Sequence, residues 1–592
     1  MMDRRSCGFG VILLLLVWSR PAATLAQRSL QRTTPSAQFS VDDRNKLFQQ
    51  ALALLPEEKV PVQFRGHIAE DLQFRCATMI VAQIQENYDL FSPEQQAVLA
   101  SILQRPRLPQ SIVSPTGRFR VHYITSGVDS VSITDGDSDG VPDFVHETAL
   151  AFEKAFDVQT RDLGYRTPPD DNGDDGPEYD VYIQDLGTQF YGFTQTDGDV
   201  PDTPENDKRS FIVIDNDFNN GHFTTGLPGA LVTAAHEFFH AVQFGYRSFS
   251  NSDERFYYEL CSVWMEDVIY DDINDYYQYI PFYFSATHLP FDKFTFRSFG
   301  EAIWNHFLVK KYGDASMIRR SWELMRDGFT AMQAVEQSLQ EIGSSFAEEF
   351  AEFGVWNYFT DSRADTVTYY EEGNQYNAIK LNGDFVVSED TSIVDSTLSS
   401  THKYFAFTLQ NPGNYSITGT LQDPVSWLFA VLTMPPGQKA ELHIFNLVNG
   451  INLGELPALS RIVVIAANVE VLDGEDLPSL LTKRLSFRLN LKLGPVDFIG
   501  DTGITAIYPN PMNISSNQKV SVVLNLPAVE SSDLKIFTSD GRIIRSAKLG
   551  RGQTVFTWNG RNDDGDLVAS GIYILQLKQG EFIVTRKFAV VR

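Results

Sequence analysis

The chain has 592 residues, 43% apolar and 21% charged, with 40 Gly and 27 Pro. This globular mixture excludes a disordered, collagen-like or Cys-stapled miniature protein. Lys and Arg total 48 against 76 Asp and Glu, giving a net charge of −28. Such a surface repels phosphate backbones and anionic lipid, so no nucleic-acid partner is expected.

Residues 1–26 read as a secretory signal. Arg4 and Arg5 precede an apolar run from Val11 to Trp18, and Thr24-Leu25-Ala26 resembles a cleavage site. The run is too short to span a bilayer and no later run reaches that length, so a mature chain without a transmembrane segment is expected, secreted or at the bacterial surface. Cys7 leaves with the signal, which leaves Cys76 and Cys261. Three arrangements are open: one disulfide, two separate buried thiols, or Cys76 in a pro-segment as an inhibitory thiolate on a metal.

Residues 27–112 form a helical pro-region or a permanent N-terminal subdomain, polar and flexible to about residue 40. Ser92-Pro93-Glu94-Gln95 supplies an N-cap, a first-turn proline and a capping-box Gln ahead of Val98, Leu99, Ile102 and Leu103. Arg105-Pro106-Arg107-Leu108-Pro109 then ends the helix and offers an exposed basic linker.

Residues 113–360 read as a mixed α+β domain, with strands at Phe119–Tyr123, Tyr179–Ile183 and Phe211–Ile214 and helical periods from Leu231 to about Phe359. Within it, Asp135, Asp137 and Asp139 alternate like the start of a calcium loop, Gly140 permits the turn and Asp143 follows. His146 stands where the loop wants Glu, so calcium binding and a solvated acidic turn both remain open. The Asp170–Asp175 run reads as a solvated loop.

The stretch richest in chemistry is His236-Glu237-Phe238-Phe239-His240. Two His four apart on a helix project from one face and can share a metal, while Glu237 lies beside a metal-bound water. Val232, Ala235, Phe239 and Val242 form the apolar stripe behind them, and Gly245 is a stop. A catalytic zinc needs a third protein ligand. Gln243 and Tyr246 stand where a metzincin has Gly and His. Asn251, Ser252 and Asp253 suit the cap of a second, antiparallel helix that carries Glu259, the favoured ligand, with Glu266 on the same face as the alternative. Whichever is not the ligand would hold an imidazole N–H. His222, His306 and Tyr312 are candidate oxyanion donors, and Phe211–Ile214 suits an edge strand that pairs with an extended substrate.

This motif, with Glu259 after eighteen residues, resembles the gluzincin metallopeptidase pattern of aminopeptidase-N-like and thermolysin-like enzymes. Thr233 to Gln243, Trp264-Met265-Glu266-Asp267 and the span from Gly117 to about Tyr312 are similar to a bacterial family of exported metalloproteases described from myxobacteria. The resemblance implies a zincin-like domain that holds Zn²⁺ on His236, His240 and Glu259, with Glu237 as general base in hydrolysis of a protein or peptide substrate. Val263 replaces the acidic residue usual four beyond the third ligand, which leaves the choice between Glu259 and Glu266 open.

Residues 361–495 form a β-rich accessory domain without a chemical motif. In residues 496–592, Tyr508-Pro509-Asn510-Pro511, the Asp540-Gly541-Arg542 turn, Trp558 to Gly565 and Ser570 to Leu575 mark a small β-sandwich. These segments resemble the immunoglobulin-like C-terminal sorting domain of type IX secretion cargo, itself similar to part of flagellar hook-capping proteins. That resemblance implies the type IX secretion machinery as a partner. The expected whole is α+β: a helical N-terminal region, a zincin-like metalloendopeptidase and two all-β sandwiches, with Zn²⁺ and a candidate Ca²⁺ site at Asp135, Asp137, Asp139 and Asp143. A zinc aminopeptidase and a non-catalytic surface adhesin on the same fold are the alternatives.

Overall fold

The computed structural model describes residues 39–592 except 68–74, 171–172, 174–175, 188, 201–202, 204–205, 220, 250–253, 424–425, 446–449, 473–476, 495–502, 509–511, 515–518, 526–531, 551–554, 581 and 592. The signal segment, the Asn251–Asp253 cap, Pro509–Pro511 and most of the Asp170–Asp175 run lie outside the described residues.

Three helices come first: α1 (Val41–Leu52), α2 (Thr78–Asn87) and α3 (Pro93–Leu103). The capping box read from Ser92 and Gln95 is present, with Pro93 in the first turn. Beyond it the linker is only partly exposed. Arg107 faces solvent, but Arg105 pairs with the buried Asp180 at 3.2 Å and with Asp197 at 3.4 Å, over the Phe211 ring. The expected exposed basic linker is therefore corrected at Arg105.

Five strands make the next sheet: β1 (Gln110–Val113), β2 (Phe119–Tyr123), β3 (Tyr179–Gln184), β4 (Gly192–Asp199) and β5 (Lys208–Asp215), in the order β1-β2-β3-β5-β4. β2, β3 and β5 run parallel, while β1 and β4 are antiparallel to their neighbours. Phe211–Ile214 is thus an interior strand, and the expectation that it forms the edge is corrected; β1 and β4 are the edges. The reason lies in burial on both faces. Ile212 and Ile214 face the main core, and Phe211 and Val213 face a second core under α1–α3. A strand covered on both faces reads as a continuous apolar run.

Helix α4 (Asp143–Phe156) and two central helices, α5 (Leu227–Phe244) and α6 (Arg255–Ile269), build the main core with the sheet. Five more follow: α7 (Ile280–Ser285), α8 (Ile303–Tyr312), α9 (Ser316–Arg326), α10 (Ala331–Glu341) and α11 (Phe346–Tyr358). Strands from Gly383 to Leu493 then form a five-stranded and a four-stranded sheet around their own core. The outer face of the larger sheet joins the main core through Tyr404, Ala430, Val463 and Ile465, so this module is packed on the helices rather than tethered to them. From Gly503 to Val591 a three-stranded and a five-stranded sheet enclose a further core, with Gly541 at φ +89° in the turn that precedes Ile543–Leu549.

Candidate metal centre

Helix α5 begins at Leu227-Pro228 and runs eighteen residues to a C-cap at Gly245. Along α5 and α6, Gln243 meets Tyr258 and Ser262, His240 meets Glu259, and His236 meets Glu259 and Glu266. These contacts run in opposite directions along the two helices, so α6 lies antiparallel to α5. α6 is buried around its whole circumference, as suits a helix in the centre of a core.

Cys76, His236, His240 and Glu259 each offer one ligand atom, all within 4.8 Å of one another, and all four residues are buried. Glu259 Oε2 lies 3.3 Å from His236 Nε2 and 3.7 Å from His240 Nε2. Cys76 Sγ lies 3.4 Å from His240 Nε2. Tetrahedral zinc with N and O ligands at about 2.0–2.2 Å and sulfur at about 2.3 Å places ligand atoms roughly 3.3–3.6 Å apart. Nε2 of His236 and both carboxylate oxygens of Glu259 are buried without a hydrogen bond. Orphaned groups of this kind cost several kcal/mol unless a cation satisfies them, and two imidazoles, a carboxylate and a thiol suit zinc.

The imidazoles are oriented from behind. His236 Nδ1 lies 2.6 Å from Glu266 Oε1, which as a carboxylate accepts the ring N–H. His240 Nδ1 lies 2.7 Å from Gln243 Oε1. The amide of Gln243 donates to the Tyr258 carbonyl, which fixes its oxygen toward the ring, so His240 also carries its proton on Nδ1. Both Nε2 lone pairs are thereby aimed at the same point. Glu266 thus lies on the side of the imidazole away from Glu259. Burial pushes its carboxyl up to about 8, against the pull of His236. Burial also raises Glu259, but His240 and His236 outweigh it and hold this carboxyl below the usual range. Burial, then the nearby Glu237 and Glu259, raises the Cys76 thiol.

Glu237 stands apart from the ligand cluster. Its Oε2 lies 2.8 Å from the Thr194 hydroxyl and 3.1 Å from that of Thr78. Gly192 brings β4 against this helix, since a Cβ there would sit 2.9 Å from Thr233 Cγ2 and from the Val213 carbonyl, and 3.1 Å from Glu237 Cγ. Gly192→Ala is expected to destabilise the chain by about 1–3 kcal/mol through overpacking, read as a lowered melting temperature. An unchanged melt would show that the strand can yield.

The three candidate oxyanion donors lie in other networks. His222 bonds the carbonyls of Asn219 and Phe190, His306 stacks on Tyr276, and Tyr312 donates to Glu349. Neither histidine is among the clustered ligand residues. Cys76 and Cys261 are both free and buried, so the disulfide expectation is corrected. Ser262, Thr78 and Thr194 have no role in the sequence reading, and Gln243 enters it only where it breaks the metzincin spacing, although its place at i+3 from His240 is a helical-spacing signal. In the acidic turn, oxygens of Asp135, Asp137 and Asp143 converge, as do Asp137, Asp139 and His146. Loop N–H groups already bond several of them: Gly136 donates to Asp143, Gly140 to Asp135 and Val141 to Asp139.

Residues 510–581 match the FlgD Ig-like domain family. No curated protein matches the chain. Among solved structures, the chain is similar to PorZ, a surface component of the type IX secretion system of Porphyromonas gingivalis, at 24% identity over 18% of this chain and 14% of that one, with a TM-score of 0.15. PliG, a periplasmic lysozyme inhibitor of Aeromonas hydrophila, is similar at 10% identity over 19% of this chain and 96% of its own, with a TM-score of 0.14. Latent PorU from P. gingivalis is similar at 12% identity over 36% and 19%, also at 0.14. Among the described residues no helix is long and apolar enough to cross a membrane.

Proposed function

We propose that the chain is an exported zinc-dependent metalloendopeptidase with a zincin-like core. The observation that carries this is the convergence of His236, His240 and Glu259 around orphaned, buried ligand atoms, with Glu237 beside them on the same helix but outside the set. Zinc bound there would supply Lewis-acid polarisation of the scissile carbonyl and a more acidic water. The Glu237 carboxylate would accept a proton from an attacking water and return it to the leaving amine as the C–N bond breaks. Glu266 and Gln243 keep the imidazoles in the tautomer that binds metal. The FlgD Ig-like match at the carboxyl end supports export, with the terminal sandwich as the part addressed to type IX secretion machinery.

The test pairs zinc content with digestion of an unfolded protein, before and after limited proteolysis of the chain and with and without chelator. Zinc near one per chain with chelator-blocked internal cleavage supports the reading. Zinc without cleavage under either condition favours a non-catalytic binding protein, and cleavage confined to amino termini favours an aminopeptidase. Calcium in the Asp135–Asp143 turn is expected to raise the melting temperature in a chelator-sensitive step separate from zinc loss. A melt unmoved by calcium leaves that turn solvated.

A further inference from the structure

We propose that the chain is held latent by its own N-terminal region, with the Cys76 thiolate as fourth zinc ligand and the Arg75–Thr78 segment seated where an extended substrate would pair. This inference rests on the peptidase reading. It begins from geometry that the reading does not use. A catalytic zinc keeps one position open, whereas here a fourth donor, 4% exposed, sits among the other three.

The same segment also lies along β4, one of the two edges of the sheet. The Tyr191 N–H donates to the Arg75 carbonyl at 2.7 Å, and the Ala77 N–H donates to the Gly192 carbonyl at 2.9 Å. The Thr194 N–H donates to the Thr78 hydroxyl at 2.8 Å, and Gln85 continues the cover with two bonds to Thr196 at 3.0 Å. An exposed strand edge is the usual place for a peptide to add by main-chain pairing, and β4 has spent these groups on its own chain. Thr78 reaches the proposed general base as well, at 3.1 Å from Glu237 Oε2. One four-residue stretch therefore blocks the metal vertex, the strand edge and the base together. Glu237 is 1% exposed, His240 and Glu259 0%, so a substrate carbonyl cannot reach them while the segment stays.

The test uses the full chain loaded with cobalt in place of zinc. A thiolate ligand gives an intense near-ultraviolet sulfur-to-cobalt band. The band is expected in the intact chain, absent in Cys76→Ser at unchanged cobalt content, and lost once the chain has been cut and its N-terminal fragment removed. Zinc-loaded Cys76→Ser should digest unfolded protein roughly a hundredfold faster than the intact parent, the effect of removing a ligand that held the closed population. Should the variant fail to fold, the parent's spectrum before and after proteolysis and its release by an organomercurial still decide. No band in an intact parent that digests as fast as the variant overturns latency and leaves the peptidase reading standing. A band that persists undiminished in fully active cut protein also overturns it. A band present, with neither the variant nor the cut chain freed of its N-terminal fragment cleaving anything, overturns the peptidase reading and with it the latency.

Discussion

Glu237→Gln is expected to lower the rate of peptide hydrolysis by about 10²–10⁴-fold or more while zinc stays near one per chain. The separation follows from position. Glu237 contributes no atom to the cluster formed by Cys76, His236, His240 and Glu259, so metal retention does not depend on its charge. Its side chain meets the hydroxyls of Thr78 and Thr194, and a glutamine of the same shape can keep both contacts, so the fold should survive. What an amide cannot do is accept the proton of the attacking water and release it to the amine. The measurement is kcat/KM on an unfolded protein with the activated chain, alongside its metal content. A variant of full activity removes the mechanism, and one that loses zinc as well shows that Glu237 supports the metal site directly.

In the Cys76→Ser background, where no thiolate completes the site, Glu259→Ala is expected to abolish stoichiometric zinc binding, and Glu266→Gln to weaken it by only about 10–100-fold. Both carboxylates touch His236, but on different nitrogens. Glu259 approaches Nε2 at 3.3 Å and also nears Nε2 of His240, whereas Glu266 accepts from Nδ1 at 2.6 Å. A carboxylate at Nδ1 of His236 can set that ring's orientation and basicity but lies on the side of the ring away from the shared point. Removing Glu259 takes away the one anionic oxygen aimed there by α6. Zinc titration against a competing chelator reads both effects. The opposite ranking would exchange the roles of the two residues.

How far the sequence foretold this arrangement depends on the distance over which each contact acts. The placement of His236, Glu237 and His240 needs only the helical period, and the approach of Glu259 only a turn and a second helix. That Glu266 shares the face of Glu259 was legible for the same reason, since seven residues make two turns, but which of the two is the ligand was not. The edge strand was misread because an apolar run was taken for an accessible one. Phe211–Ile214 is apolar because it is covered on both sides, and the neighbouring edge strand, Gly192–Asp199, carries polar residues and ends in Asp. The seat of Cys76 was one of three open readings, because 164 residues separate it from His240 and no local pattern reports such a meeting. In the terminal sandwich, where turns such as Asp540-Gly541 join neighbouring strands, the reading needed no long-range information.

The N-terminal helices do more than carry a blocking residue. Leu47, Leu52, Ile80 and Leu99 are continuous with Phe190, Phe193, Phe211 and Val213 in a single apolar core beneath the sheet. A nick at the exposed Arg107 would sever the backbone without parting the two pieces, because the hydrophobic surface between them remains buried. Cutting and unveiling are thus separate events, and the pace of the second is set by how readily a greasy wall of aromatic rings can be bared to water. A maturing molecule would travel as a nicked pair until something else takes over that wall.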